Sequence, residues 1–390
     1  MNVSVLDLQR QYESIRGELD AKILEVVRSG KYVLGPYVKE FEDAAAAYCG
    51  CKHAIGVASG TDALLLSLKA LGIGPGDAVI LPSFTFFATA GVVHNVGATP
   101  VFCDINPKTF NLDTDHLRDI LAHPAELRGN SKLAAKPRAI IPVHLYGQMA
   151  DMDEIVVVAD RHGLAVVEDA AQAIGATYTM SDGAAAKAGT MGNLGCFSFY
   201  PTKNLGAYGD GGMVTTNDDA LAETVRMLRV HGAKPKYYHH RVGVNSRLDA
   251  IQAAILGVKL QHLDDWSAAR GAVADRYDDA LSSIDGVAAP VRVDGRSHIF
   301  HQYTVRVADG RRDTIRDALT EAGIGSMIYY PVPLHLQECF AHLGYIKGQL
   351  PASELASHEV LSLPIFPELT EGEQHQVVDA MKAAAKGLNG

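Results

Sequence analysis

The chain has 390 residues, of which 47% are hydrophobic, and a formal net charge of −10 at pH 7. This length suffices for a large core and suggests two domains, while the negative charge opposes non-specific binding of nucleic acid. The first residues lack a basic region followed by an apolar run, and no stretch of about 18 apolar residues occurs. We therefore expect a soluble, cytoplasmic protein without a membrane span.

The cysteines are scattered and odd in number: Cys49, Cys51, Cys103, Cys196 and Cys339. Because none of them forms a Cys-x-x-Cys pair, the pattern argues against a disulfide framework or a thiolate zinc site and suits a reducing compartment. The histidines also lack metal-ligand spacing. We expect no metal site.

Seven apolar runs bounded by turn residues recur through the first part of the chain, with helical stretches between them. They begin at Ala54, Ala78, Thr99, Ala139, Ala165, Cys196 and Gly212. Near-continuous hydrophobicity, rather than alternation, is typical of strands that helices cover on both faces. The pattern predicts a large, mostly parallel α/β sheet.

A helix is predicted to begin at Ser59-Gly60-Thr61-Asp62 and to end before Gly72, because a capping side chain precedes an apolar run. The free backbone N–H groups and the dipole at such a helix start suit a phosphate. Alone, the motif is more often only a cap.

Apolar residues from Leu248 to Trp266 recur at helical spacing and predict one long connecting helix. We expect residues 1–260 to form an N-terminal segment plus a large α/β domain, and residues 261–390 a small α+β domain. No flexible linker separates them, so we expect the two domains to pack tightly.

An acid ends one of the predicted strands, and a lysine follows in a glycine-flanked turn. These residues are Asp169 and Lys203. A lysine amine can form a Schiff base with an aldehyde cofactor, and an acid that keeps a pyridine nitrogen protonated makes the ring an electron sink. The pair favours a site for pyridoxal 5′-phosphate (PLP). Alone, Asp169 would suit a helix cap or a magnesium ligand, and Lys203 a solvated surface position.

Other side chains along the chain suit the same cofactor. Gln172, one helical turn after Asp169, can hydrogen-bond a ring hydroxyl oxygen, and Ser198 offers a hydroxyl to the phosphate. One of three phenylalanines that follow the second strand could stack on the ring. The alternative is core packing, to which we assign Phe84 and Phe87.

Two further groups of polar residues have no single explanation from the sequence. His144 and Gln148 follow a predicted strand, where a catalytic histidine and a hydrogen-bonded structural one are both compatible with the pattern. Arg226 and Arg229 lie at the end of a predicted helix, where a favourable interaction with the helix dipole is the simpler explanation.

At these positions the chain resembles the DegT/StrS-like nucleotide-sugar aminotransferases. The resemblance implies fold type I of the PLP-dependent transferases, which is aspartate aminotransferase-like, with a mostly parallel seven-stranded sheet domain and a smaller C-terminal α+β domain. It runs nearly end to end, over Leu6–Leu8, Gly35–Pro36, Gly60–Leu64, Thr85–Phe86, Val143–Gly147, Glu168–Gln172, Ser198–Lys203, Gly209–Gly212, Asn245–Asp249, Tyr329–His335 and Leu361–Pro367.

The resemblance implies the roles of the cofactor-binding residues. Phe86 stacks on the PLP ring, Asp169 pairs with its nitrogen and Gln172 meets its ring oxygen. Ser198 joins Gly60 and Thr61 at the phosphate, and Lys203 is the catalytic lysine. The family also implies an obligate homodimer, in which Asn245 reaches the phosphate of the neighbouring subunit's cofactor.

The resemblance also implies positions around a sugar nucleotide: Gly35, Tyr238, Tyr330 and His335. We add Arg229 as a further candidate substrate residue. The chain departs from the usual family pattern at Asn193 and Asp210, where aspartate and glutamate are common. Neither departure removes a group that the chemistry requires.

The implied reaction is ping-pong transamination. L-Glutamate aminates the cofactor to pyridoxamine 5′-phosphate, which then aminates a keto-sugar linked to a nucleoside diphosphate, a step in deoxyamino-sugar or polysaccharide biosynthesis. The sequence from Gly243 to Asp249 resembles the family members that act on 3-keto sugars. Tyr329 stands where a member that acts on a uronate would have a cationic side chain, which favours a 6-deoxy sugar.

The sequence is also compatible with other functions. The first alternative is an aminotransferase that acts on a 4-keto sugar, or on a UDP-3-keto-N-acetyl sugar or uronate. The second is a non-catalytic PLP-binding regulatory protein. PLP-dependent sugar dehydration is disfavoured, because that group of relatives replaces the lysine at position 203 by histidine.

Overall fold

All seven predicted apolar runs form strands in the computed structural model, which describes residues 2–123 and 135–387. In chain order, the strands are β1 (His53–Val57), β2 (Asp77–Pro82), β3 (Thr99–Cys103), β4 (Lys136–Ile140), β5 (Ala165–Asp169), β6 (Thr177–Thr179), β7 (Ala185–Lys187), β8 (Leu194–Ser198), β9 (Gly212–Thr216), β10 (Val287–Ala288), β11 (Tyr303–Val307) and β12 (Val360–Leu363).

The large sheet has the strand order β1-β9-β8-β5-β4-β2-β3. The neighbours from β8 to β3 are parallel, and β9 is antiparallel to both β1 and β8. The prediction of a mostly parallel sheet is confirmed. Because parallel strands end at the same edge, the ends of β5 and β8 place Asp169 beside Cys196 and Ser198 close by, on the same side of the sheet.

Helices cover both faces of this sheet and account for the near-continuous apolar strands. In chain order, the α-helices of the described residues are α1 (Leu8–Ser29), α2 (Pro36–Cys49), α3 (Gly60–Ala70), α4 (Ala88–Asn95), α5 (Thr114–Ala122), α6 (Met152–His162), α7 (Asp219–Leu228), α8 (Ala250–Leu260), α9 (Leu263–Leu281), α10 (Arg312–Glu321), α11 (Pro351–Glu359) and α12 (Glu371–Gly387). One apolar cluster joins the sheet to α3, α4 and α7, and another joins it to α2, α5, α6 and α8. Within the described ranges, no helix is long and apolar enough to cross a bilayer.

The C-terminal residues build a second core around the antiparallel sheet β10-β11-β12. Tyr277, Ile315 and Val377 are fully buried in it. Val3, from the start of the chain, packs in the same core and pairs with Ile324. The domain division at residue 260 stays a prediction.

The prediction of one helix from Leu248 to Trp266 is wrong. The segment forms α8 and the start of α9, with a turn at Gln261 and His262. The N–H groups of these two residues donate to carbonyls three residues back, those of Val258 and Lys259, at 3.2 and 3.1 Å. This tighter turn ends the regular α-helical pattern.

Candidate active site

A cavity of about 630 Å³ lies at the edge of the large sheet where β5 and β8 end. Its wall contains seven of the predicted cofactor residues: Gly60, Thr61, Phe86, Asp169, Gln172, Ser198 and Lys203. These residues come from four separate stretches of the chain. The structure therefore brings together the side chains that the sequence pattern assigned to one cofactor.

Asp169 lies at the end of β5 with its carboxylate buried. Thr89 Oγ1 donates to Oδ2 at 2.8 Å, and the N–H of Ala171 donates to Oδ1 at 3.2 Å. Burial raises the pKa of Asp169, and the two donors oppose that rise. A poorly solvated carboxylate of this kind favours a cationic partner, such as a protonated pyridine nitrogen, in the cavity.

The amine of Lys203 lines the same cavity from the loop that follows β8. Its backbone N–H donates to the carbonyl of Tyr200 at 2.8 Å, which fixes the turn. Burial lowers the pKa of Lys203 to about 8, with the charge of Asp169 acting in the opposite direction. A larger fraction of the amine is thus neutral and nucleophilic near neutral pH than in a solvated lysine.

The start of α3 and the end of β8 form a narrow cup. Ser59 Oγ caps the helix by accepting from the N–H of Asp62 at 3.1 Å. A Cβ at Gly60 would lie 2.6 Å from Ser198 Cβ, so only glycine allows this close approach. The first N–H groups of a helix have no partner within it. Together with the Ser198 hydroxyl, they fit the phosphate of PLP.

The three phenylalanines have different environments. Phe84 is fully buried, as predicted, whereas Phe86 is 57% exposed and lines the cavity beside Tyr330, with ring centroids 6.2 Å apart. The core assignment of Phe87 is wrong. Phe87 is 47% exposed at the N-cap of α4, and one face of its ring stacks on Phe340.

Gln172 is held by two hydrogen bonds that fix the orientation of its amide. Its Oε1 accepts from the N–H of Tyr146 at 2.7 Å, and its Nε2 donates to the hydroxyl of Tyr330 at 3.1 Å. One N–H of the amide remains for a ring oxygen. Burial raises the pKa of Tyr330, which keeps its hydroxyl protonated.

His144 has a structural environment. Its Nδ1 accepts from the N–H of Ala150 at 3.1 Å, and its Nε2 lies 2.8 Å from Glu168 Oε2, so the neutral ring donates to the acid. The side chain is fully buried and uses both nitrogens. Gln148 is also engaged, with Val291 and Val293. The geometry favours the structural alternative for both residues.

Two predicted substrate residues lie outside the cavity wall and have internal partners. His335 is buried between Ser83 Oγ at 2.6 Å and Glu354 Oε1 at 3.1 Å. Arg229 forms an ion pair with Glu42 and donates to the carbonyl of Gly56 at 2.7 Å. These partners occupy both side chains, and neither residue lies in the cavity wall of its own chain. The two assignments stay predictions.

The other predicted positions differ in location. Tyr330 lines the cavity. Gly35, Tyr238 and Asn245 are exposed and are not part of its wall. Asn193 Oδ1 accepts from the N–H of Val166 at 2.8 Å, a bond that a carboxylate oxygen would also make.

The sequence prediction missed several residues of the wall. His301 and Gln302 come from the C-terminal part of the chain and carry no local motif. Thr89, which supports Asp169 from behind the cavity, had a weak signal: it stands four residues after Thr85, and their hydroxyls lie 3.2 Å apart. Asp210, one of the departures from the family pattern, also lines the cavity.

The fold and the site define the class of protein. An acid at a strand end, a lysine in the next turn and a glycine-dependent phosphate cup are the parts of a PLP-dependent transferase of fold type I, and the residues present fit the cofactor. The model of the DegT/DnrJ/EryC1/StrS aminotransferase family matches residues 13–382. The chain belongs to this family and is a PLP-dependent aminotransferase.

Similar proteins cover nearly the whole chain. A protein of Geobacillus stearothermophilus named "pleiotropic regulatory protein" is 53% identical over 97% of both chains. The dTDP-3-amino-3,4,6-trideoxy-α-D-glucose transaminase of Streptomyces venezuelae is 45% identical over 99% of this chain and 97% of its own. The crystal structure of S. venezuelae DesV in complex with a ketimine intermediate covers 99% of both chains at 44% identity, with a TM-score of 0.91.

Proposed function

We propose that this protein transfers the amino group of L-glutamate to the 3-keto carbon of a 6-deoxyhexose linked to a nucleoside diphosphate. It acts as a cytoplasmic homodimer. The observation that carries the proposal is the single cavity that joins Lys203, Asp169 and the phosphate cup. The 45% identity with a dTDP-3-amino sugar transaminase supports the substrate class.

The residues of the cavity have separate tasks in this reaction. When bound, PLP supplies an electron sink for carbanion chemistry. Asp169 holds the proton on the ring nitrogen, a charge-assisted bond stronger than a neutral one. Lys203 Nζ takes the proton from the α-carbon of the donor and returns a proton to the cofactor side. Phe86 and Gln172 orient the ring.

The first half-reaction tests the proposal without any sugar. We expect L-glutamate to convert the visible absorption of the PLP-loaded protein to that of the aminated cofactor, and Lys203→Ala to abolish this conversion. Lys39→Ala is the matched control, because Lys39 is exposed and paired with Asp43 on the surface of α2. Unchanged glutamate-dependent turnover in Lys203→Ala would contradict the mechanism.

The position of amination requires a second experiment. NMR of the product from a nucleotide-linked 3-keto sugar should show nitrogen at carbon 3, and nitrogen at carbon 4 would overturn the assignment.

A further inference from the structure

A smaller cavity of about 240 Å³ adjoins the active-site cavity. The two share four lining residues, namely Thr202, His301, Gln302 and Tyr329. The far wall of this side cavity comes from the start of the chain, from α9 and from the end of β12, and includes Leu6, Arg270 and Leu363.

Arg270 is a buried cation in this wall, with 3% of its surface exposed. Its Nη1 donates to the carbonyls of Phe300 and Ile365 at 3.0 and 2.9 Å. Across residues 2–123 and 135–387, no carboxylate lies within ion-pair distance of it. Burial lowers its pKa to about 10, and the charge of Glu368, at a longer distance, acts in the opposite direction. A guanidinium has five N–H donors. A buried charge without a directly paired carboxylate is unfavourable, so an anion in the side cavity would be stabilised there.

Two hydrogen-bond acceptors lie on the wall that the cavities share. Gln302 Oε1 is buried and has no partner in the described part of the chain. His301 Nδ1 lies 3.1 Å from Asn204 Oδ1, which only accepts because Asn204 Nδ2 donates to the carbonyl of Ile299. The ring proton is therefore on Nδ1, which leaves Nε2 as an acceptor.

The active-site cavity has no cation left to bind the carboxylate of an amino acid, among the residues that the structure describes. Of the charged side chains on its wall, within the described ranges, Lys203 is a cation committed to the cofactor, and Asp169 and Asp210 are acids. The side cavity has the groups that an amino acid needs. The cation Arg270 lies in its far wall, and the acceptors Gln302 and His301 lie on the wall that it shares with the active-site cavity. This arrangement matches the carboxylate and the amino group of an amino acid.

We propose that the side cavity is the carboxylate subsite for the amino donor, with Arg270 as its cation and Gln302 as an acceptor for the donor's N–H groups. This inference rests on the proposed glutamate-dependent function. It gives the carboxylate of the donor a place beside the cavity in which both half-reactions occur.

Binding of glutarate, a dicarboxylate without an amino group, tests the subsite without catalysis. We expect Arg270→Gln to weaken glutarate binding to the PLP-loaded protein, measured by calorimetry, by about ten- to a hundredfold. Arg312→Gln is the matched control, because Arg312 also donates to two buried carbonyls, those of Ser357 and Val360, but lies outside both cavity walls. Equal affinity in Arg270→Gln and the parent protein would overturn the proposal.

A second pair of variants leaves Arg270 in place, in case its loss impairs folding. Leu6→Glu puts a carboxylate of the chain itself into the side cavity, whereas Leu6→Gln adds a side chain of the same size without charge. We expect Leu6→Glu to bind glutarate about tenfold or more weakly than Leu6→Gln, because the two side chains differ only in charge. Equal binding by the two variants would also overturn the proposal.

These measurements separate the subsite from the overall function. If L-glutamate leaves the absorption of the parent protein unchanged while glutarate binds in an Arg270-dependent manner, the subsite stands and the assignment of glutamate fails. A carboxylate could also belong to a uronate sugar. Arg270→Gln that impairs only a uronate-linked nucleotide, with glutarate binding and the glutamate half-reaction unchanged, would assign the cation to the sugar and overturn the donor subsite.

Discussion

At the scale of single residues, the charge of Asp169 depends on a hydroxyl 80 residues away in the chain. Thr89 donates to its Oδ2 at 2.8 Å and has Thr85 as its own neighbour at 3.2 Å. Because burial raises the pKa of Asp169 and this bond lowers it, Thr89 keeps the acid ionised in a poorly solvated position. Thr89 is thus a positioning residue for the reaction.

We expect Thr89→Val to slow the half-reaction with L-glutamate by about tenfold, the effect of one hydrogen bond to a charged group. Without the donor, the pKa of Asp169 rises further, so the carboxylate becomes protonated at a higher pH. The acid limb of the rate profile should therefore move to higher pH. Stopped-flow absorption across a pH series measures both effects, and KM for L-glutamate should change little.

Thr89→Ser is the conservative control for this prediction. It keeps the hydroxyl and should restore the parent rate and the parent acid limb. A Thr89→Val protein whose acid limb does not move would show that Thr89 only packs against Asp169.

At the scale of elements, the phosphate cup depends on how closely α3 approaches β8. We expect Gly60→Ala to lower PLP affinity about tenfold or more, since its Cβ would lie 2.6 Å from Ser198 Cβ and force the helix start or the strand to shift. Fluorescence titration of the cofactor-free protein with PLP measures the change.

Gly257→Ala is the control, because a Cβ at this helical glycine of α8 meets nothing within 4 Å. That variant should bind PLP normally and should gain about 0.5–1 kcal/mol of stability, the usual effect of alanine over glycine inside a helix. Normal PLP affinity in Gly60→Ala would mean that the cup can widen without cost.

The strand β5 is tied to the loop before β8 by the acid that precedes Asp169. The two oxygens of Glu168 accept from four donors: His144 Nε2 and the N–H groups of Gly189, Met191 and Gly192, at 2.6–2.8 Å. This side chain is fully buried. It therefore satisfies backbone groups that water cannot reach and fixes the position of β5.

Glu168→Gln would replace one of these acceptor oxygens by an NH₂ group that faces other donors. We expect the free energy of unfolding to fall by about 3–5 kcal/mol, as when one partner of a buried charged network is lost. Chemical denaturation measures this value. Glu223→Gln, in an exposed pair with Lys234, should change it by less than about 1 kcal/mol, and a similar loss in both variants would contradict the role of Glu168.

The elements were predictable where local pattern decides structure. The seven strands of the large sheet followed from apolar runs between turns, and Asp169 and Lys203 were found because each ends or follows such a run. The turn at His262 was not predictable, since apolar spacing continues through it. Phe87 shows the same limit: an apolar residue in a local sequence does not specify burial.

The rest of the site depends on long-range packing. His301 and Gln302 reach the cavity because the C-terminal part of the chain folds back beside the loop of Lys203, and Asn204 donates to the carbonyl of Ile299 across that contact. The residues adjacent to His301 and Gln302 in the sequence do not indicate that they pack beside the loop of Lys203. Arg229, which we assigned to the substrate, lies outside the cavity wall of its own chain and pairs there with Glu42.

At the scale of the whole molecule, the position of Asn245 bears on the proposed homodimer. Asn245 is exposed and is not part of the cavity wall of its own chain. In a two-fold dimer, one subunit can contribute a residue to the site of the other. We propose that each active site combines Lys203 of one subunit with Asn245 of its partner.

Mixed dimers test this arrangement. Lys203→Ala and Asn245→Ala should each be impaired alone. In a mixed dimer, the site in the Asn245→Ala subunit has its own Lys203 and receives Asn245 from the other subunit, whereas the second site lacks both. Random re-association makes half of the dimers mixed, so the activity should recover to about one quarter of the parent value. If Asn245 served its own subunit instead, the two defects would stay in separate sites and mixing would restore nothing.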